Sequence, residues 1–170
     1  NHFGDDDSPK KQLKDIGKVS TGSTPSTSVP EYFGDAVPFI TPGDLADTSN
    51  SKRYLTELGA SKSRVVEAGT LFVCCIGSVG KMGIAKNRSA FNQQINAVSW
   101  GKSVLPTYGY YAVLQKKATI EHWASRAATQ LPILKKSEFE KLEIAVPNFE
   151  KQSQFDAKIK VVNAQVSSLI

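Results

Sequence analysis

Six apolar residues in unbroken succession, Leu71-Phe-Val-Cys-Cys-Ile76, constrain this chain more than any other segment. The run is rich in β-formers and lies between Gly69 and Gly77, so residues 70–76 read as a strand bounded by glycines. A strand of this kind needs a sheet around it. The run is far shorter than the roughly 20 apolar residues a membrane-spanning helix requires, and no longer one occurs in the chain. Its two cysteines, Cys74 and Cys75, are neighbours, and neighbours on a strand point to opposite faces. They are poorly placed to pair with each other and read as core filler in a reducing compartment, the cytoplasm.

The segments on either side are short and punctuated. Residues 1–12 are polar, acidic and then basic, with Pro9, and read as an exposed lead-in; they lack the basic-then-apolar order of a signal peptide. Residues 13–19 suit a short helix or an irregular strand, and residues 21–30 a loop. Residues 36–41 read as a strand stopped by Pro42-Gly43, and residues 47–53 as a polar, basic loop. Thr56 is placed to cap a short helix with Glu57 in its first turn. Residues 77–83 form a glycine-punctuated turn, followed by strands near Ile84 and over residues 95–100. Pro106 and Thr107 open a helical stretch, whole or broken, to about Ala124. Ser137 and Glu140 have the spacing of a capping box, and residues 142–146 read as a strand ending at Pro147.

The tail has a different period. Phe155, Ile159, Val162, Val166 and Leu169 recur at alternating spacings of four and three, a heptad-type seam on a helix starting near Asn148. Residues 148–170 extend about 34 Å as a helix, and a solitary helix of that length holds poorly in water. The seam must therefore bury against something: its own domain, as in an ordinary amphipathic helix, or, as its place at the end of the chain favours, another helix. Three partners fit: a second copy, another segment of a parent chain, or a partner subunit. The expected fold class is α/β of the α+β type: a mixed, twisted-sheet domain with short helices over residues 13–147, then a long coiled-coil-type helix over residues 148–170. The chain begins at Asn1 and its sole methionine is Met82, which suggests a piece of something longer.

A chain of 170 residues is one ordinary domain plus an appendage, long enough to bury a core without metal or disulfide help. Its net charge of +5 is uneven. Asp5, Asp6 and Asp7 cluster at the start, and the remainder carries 21 Lys and Arg against 13 Asp and Glu. That balance favours a polyanionic partner.

Catalytic patterns are missing. His2 and His122 are far apart and sit in no ligand-spaced motif. Gly77, Gly80 and Gly83 make neither a P-loop nor a dinucleotide fingerprint, although exposed N–H groups and Lys81 in this turn would suit a phosphate. There is no nucleophile elbow, and Asp44, after a Pro-Gly turn, suits an Asx turn. What the loops do carry is base-reading and phosphate-binding side chains. Asn92, Gln93 and Gln94 present three amides, which bind adenine through paired hydrogen bonds. Thr24 and Ser26, Lys52 and Arg53, Lys62 and Arg64, Ser78 and Lys81 supply hydroxyls and positive charge. Arg126, Thr129, Gln130, Lys135 and Lys136 form a further group of this kind.

Taken in order, these segments resemble the specificity-subunit family of type I restriction–modification systems. The resemblance rests on Gly22-Ser-Thr-Pro-Ser26, on Tyr32 with Val37-Pro-Phe-Ile-Thr41 and Asp44, and on Ala68-Gly-Thr-Leu71. It continues through Ile76-Gly-Ser-Val-Gly80 with Gly83-Ile84, Asn92-Gln-Gln-Ile95, and Leu142-Glu-Ile-Ala-Val-Pro147 leading into a helix with Gln152 in its first turns. Lys151 stands where the family usually has an acidic residue before that glutamine. The resemblance implies a target-recognition domain that reads one half of a split duplex DNA site, with a spacer helix from Asn148. Asn1-His-Phe-Gly-Asp5 is similar to the segment entering the second recognition domain, which implies the C-terminal half of a subunit. It further implies a modification subunit holding S-adenosylmethionine and a restriction subunit using ATP, with no cofactor and no catalysis on this chain. Two other readings are carried forward: a protein-interaction module working through the C-terminal helix, and a small enzyme built on the glycine turn.

Overall fold

A computed structural model of the chain describes residues 7–127 and 130–169. The acidic pair Asp5 and Asp6, His2, the 1–5 segment and Thr129 lie outside the described residues. In chain order the elements are β1 (Lys10–Gln12), α1 (Leu13–Ile16), β2 (Gly17–Thr21), β3 (Phe33–Ile40), β4 (Tyr54–Leu55), α2 (Glu57–Ser61), β5 (Val65–Val66), β6 (Leu71–Cys74), β7 (Met82–Ile84), β8 (Ser89–Phe91), β9 (Ile95–Trp100), α3 (Pro106–Leu114), α4 (Lys117–Ser125), α5 (Lys136–Phe139), β10 (Glu143–Ala145) and α6 (Phe149–Ser167). Short 3-10 turns at Pro30–Tyr32 and Pro42–Asp44 complete them.

The apolar run of β6 lies inside a four-stranded antiparallel sheet of order β2-β9-β6-β7. All four of its residues are buried, because both faces of the sheet are covered. Leu71, Val73 and Cys75 face a core shared with Tyr108, Val113, Ile120 and Phe155 of the helices. Phe72 and Cys74 face a second core with Ile40 and Phe91, which belong to the other four-stranded sheet, β4-β3-β8-β5. That sheet turns Val37, Phe39 and Ala90 to its far side, against Ala60 of α2. The period-two alternation thus builds a layered domain: helices, sheet, sheet, and a short helix outermost.

Side-chain caps set two helix starts, one at the Thr56 cap expected from the sequence and one at Asn148, near which a helix was expected to begin. Thr56 accepts a hydrogen bond from Gly59 N at 3.0 Å, and Asn148 accepts one from Lys151 N at 3.0 Å. The expected capping box at Ser137 does not form. Helix α5 begins two residues earlier than a Ser137 cap would set it, at Lys136 with Lys135 before it and no side-chain cap; Ser137 lies inside it and Glu140 at its end. Leu134 N donates to Cys75 O at 2.8 Å and Phe139 is fully buried, so tertiary anchoring on both sides sets where α5 begins.

The lead-in is partly structural. Lys10, Lys11 and Gln12, read as exposed chain, form β1 and pair antiparallel with β10 at Ala145, Ile144 and Glu143. The predicted seam is divided. Phe155 is buried in the domain's own core, edge-on to Tyr108 and Tyr111 with ring centroids 5.8 and 5.6 Å away, and Ile159 packs half-buried beside it. They dock α6 on its own domain rather than on a partner helix. Val162, Val166 and Leu169 are exposed.

Candidate nucleic-acid interface

The sheet register gathers loops from distant parts of the chain at one end. Strand β2 finishes at Thr21 opposite Asn96, β6 finishes at Cys74 opposite Ile95, and β7 begins at Met82 opposite Val73. The loops at residues 22–24, 75–81 and 92–94 therefore emerge together. The second sheet adds the loop from Thr41, because β3 runs parallel to β8 with Ile40 beside Phe91, and Asn92 N donates to Ile40 O at 3.0 Å. Residues 130–134 join through Gly77 N to Pro132 O at 3.0 Å and a bridge between Ile76 and Ile133.

Close approach at this end dictates glycine at position 22. A Cβ there would stand 2.1 Å from Asn92 O and 2.5 Å from Phe91 O. With no side chain in the way, Ser23 N donates to Phe91 O at 3.0 Å, and Thr24 Oγ1 donates to Gln93 Oε1 at 2.6 Å. The 61–64 segment is tied in as well: Ser63 Oγ donates to Ser23 O at 2.6 Å, and Arg64 N to Ser23 Oγ at 2.9 Å.

The three amides do different work. Asn92 Oδ1 accepts from Gln94 N, and Asn92 Nδ2 donates to Gln94 Oε1, both at 3.1 Å. That pair holds the turn and is half-buried. Gln93 stands exposed between them, its oxygen steadied by Thr24.

The glycine turn does not present the anion nest its sequence suggests. Gly77 and Gly80 take positive φ values of 81° and 89°, but Gly83 lies within β7, pressed against Leu45 backbone. The N–H groups of Gly77, Val79, Gly80 and Lys81 all donate to carbonyls of the protein. An anion would find the exposed Lys81 and Ser78 side chains but no free row of backbone donors.

The other predicted contacts spread outward. Lys62 ends α2 beside the Ser63–Ser23 tie, and Arg64 Nε reaches Thr21 O at 3.3 Å. Ser26 is exposed and shares a hydrogen bond of 2.7 Å with Ser28. Lys52 is exposed, and its N–H donates to Asp44 Oδ1 at 3.2 Å. Buried Asp44 also accepts from Thr41 N and Thr41 Oγ1 at 2.8 Å, so it secures its loop locally. The Arg53 guanidinium lies over Phe33 and Phe39, 5.4 and 5.8 Å from the ring centroids. Arg126 caps the end of α4, Gln130 precedes the strand-like stretch beside Gly77, and Lys135 and Lys136 open α5 as the chain leaves that end; all four are exposed.

Two contributors went unread in the sequence. Ser23 links two loops, a role that depends on contacts across the fold. Leu131 is 49 % exposed between Gln130 and Pro132; in the sequence it only opens the apolar run Leu131-Pro-Ile-Leu134, which gives no sign that its first residue faces outward. Among the described residues, no group of three or more His, Cys, Asp or Glu is placed to hold a metal ion, and no helix is long and apolar enough to cross a membrane.

Comparison with known proteins places this geometry in context. The model of the type I restriction modification DNA specificity domain matches residues 5–165. The chain is 34 % identical over 153 residues to the type I restriction enzyme MjaIX specificity subunit of Methanocaldococcus jannaschii, covering 85 % of this chain and 35 % of that protein. It is 31 % identical over 156 residues to the HindI specificity subunit of Haemophilus influenzae, covering 88 % and 34 %. The chain thus spans about a third of the length of these relatives. In fold it is similar to the crystal structure of the HsdS subunit from Thermoanaerobacter tengcongensis, with a TM-score of 0.73 at 18 % identity over 95 % of this chain and 38 % of that one. The S subunit of a type I restriction–modification system from M. genitalium matches with a TM-score of 0.69 at 17 % identity, over 95 % and 40 %.

Proposed function

Because the chain belongs to the type I restriction modification DNA specificity domain family, we propose that it reads one half of a bipartite duplex DNA target and directs the modification and restriction subunits of its complex to that site. The observation that carries this reading is the gathering of Thr24, Ser78, Lys81, Gln93 and Gln130 at one end of a rigid sheet, from loops far apart in sequence. A base reader needs side chains with both donors and acceptors on a fixed support, with positive charge nearby to hold the phosphates. The exposed amide of Gln93 meets the first need. Lys62, Arg64, Lys81, Lys135 and Lys136 meet the second, with Arg53 and Lys52 on the side of the second sheet.

On this reading the recognition unit comprises residues 13–147 together with β1, and α6 is the spacer. Its first half docks through Phe155 and Ile159; Val162, Val166 and Leu169 are left for a helix of the same subunit or of a second copy. The chain works in the cytoplasm as a specificity component and not an enzyme. S-adenosylmethionine and ATP belong to the partner subunits.

The test is selection of bound duplexes from a random DNA pool, with the chain alone and together with its modification subunit. A short fixed motif is expected, and Gln93→Ala should relax one position of it. Binding without any motif would reduce the chain to a generic basic surface. No enrichment in either form would favour an interaction module acting through α6.

A further inference from the structure

Among the described residues, the exposed large apolar side chains fall mostly on α6, at Phe149, Val161, Val162 and Val166, with Leu169 just beyond its end and Leu58 on α2. Leu131 alone belongs to the loops at the candidate DNA-reading end. Its position is secured on the C-terminal side by the Gly77–Pro132 hydrogen bond, the Ile76–Ile133 bridge and the Leu134–Cys75 hydrogen bond. Leu131 Cδ1 and Gln94 Nε2 lie 4.0 and 3.9 Å from one point, the place a Cβ would take on Gly77. The glycine therefore leaves a methyl-sized notch, with an apolar tip on one side and an amide on the other. The amide is pre-oriented, since Gln94 Oε1 accepts from Asn92 Nδ2 at 3.1 Å. That bond leaves the second lone pair of Oε1, and no described residue accepts a hydrogen bond from Nε2.

We propose that Gln94 and Leu131 read a single A·T base pair from the major groove, Gln94 taking adenine and Leu131 the 5-methyl group of thymine. Only this pair offers the matching edge: N7 and N6 of adenine accept from and donate to one side-chain amide, and the thymine beside it carries the groove's one methyl group. A protein partner fits the notch less well, since protein contacts use contiguous apolar patches of several hundred Å² and here, among the described residues, Leu131 is the one large apolar side chain exposed at this end. The inference rests on the DNA-recognition reading above and assigns one position within it.

The experiment replaces each thymine of the selected motif in turn by uracil, which removes only the methyl group, and measures binding by the full chain. At one A·T position the wild type should lose about fourfold in affinity, the worth of one buried carbon. Leu131→Ala should bind thymine and uracil duplexes alike, Leu131→Met should keep the difference, and Gln94→Ala should lose its adenine preference at that same position. A motif whose uracil substitutions are all neutral overturns the inference while leaving DNA recognition intact. So does a methyl effect that survives in Leu131→Ala, or a Leu131→Ala defect confined to binding a protein subunit. Failure to select any motif overturns the recognition reading and this inference with it.

Discussion

Cys74 and Cys75 are adjacent, chemically identical and buried in different cores, one facing the second sheet and the other the helices. Burial raises both thiols, and Cys75 is pushed up to about 12. In the unfolded chain that thiol ionises near its ordinary value of 9.0. Unfolding therefore releases a proton between these values, so the contribution of Cys75 to stability is full below 9.0 and falls as pH rises towards about 12. The urea midpoint should drop through this window, and the drop should be smaller in Cys75→Ala. Comparing the two chains separates this thiol from Cys74, Tyr108 and Tyr110, which burial also raises. An equal alkaline drop in both would show that Cys75 is not held in a dry core. The opposite placement of the two cysteines was legible from strand alternation alone. The division of labour among Asn92, Gln93 and Gln94 was not, because nothing in three successive amides says which two will bond each other.

Helix α6 is anchored by a polar residue as much as by an aromatic one. Gln152 is fully buried; its Oε1 accepts from Leu105 N at 2.9 Å, and its Nε2 donates to Ser103 O at 2.8 Å and Pro147 O at 2.9 Å. A leucine there would strand three backbone groups, so Gln152→Leu should cost about 2–4 kcal/mol in urea unfolding. Removing residues 161–170 should change stability by less than about 0.5 kcal/mol, because Val161, Val162, Val166 and Leu169 are exposed. If the truncation destabilised the chain as much as Gln152→Leu, the outer half of α6 would be packing on the domain after all. The heptad spacing of this helix was visible in the sequence, but a repeat does not say where one burial surface ends and another begins. The positions of Tyr108 and Tyr111 decide that Phe155 belongs to the domain.

At the scale of the molecule, two four-stranded sheets and a helical layer bring the loops at residues 22–24, 75–81, 92–94 and 130–134 to one end. On the proposed reading, the net charge of +5 gives the whole chain a long-range pull on DNA. Affinity should fall linearly on a log–log plot against salt, with a slope of about −0.9 for each phosphate neutralised. Lys81→Ala should weaken binding to all sequences alike and flatten that slope by about 0.9, leaving the selected motif unchanged. A changed motif with an unchanged slope would make Lys81 a base reader. Salt titrations of both proteins on target and non-target duplexes separate the two outcomes.

By itself the sequence determined the features that depend on near neighbours along the chain. These are the strand at Leu71–Cys74, the cap at Thr56, the start of a long helix near Asn148, the helical stretch opening at Pro106, and the ordered motifs that resemble the specificity subunits. Periodicity, capping chemistry and ring constraints act over a few residues, so a few residues suffice to reveal them. Tertiary structure alone decided the pairing of β1 with β10, the two- and three-residue strands β4, β5 and β8, and the meeting of Thr24, Gln93, Gly77 and Leu131 at one end. Such short strands carry too little pattern to declare themselves. Loops distant in sequence meet because sheet register, a long-range property, delivers their ends to the same place.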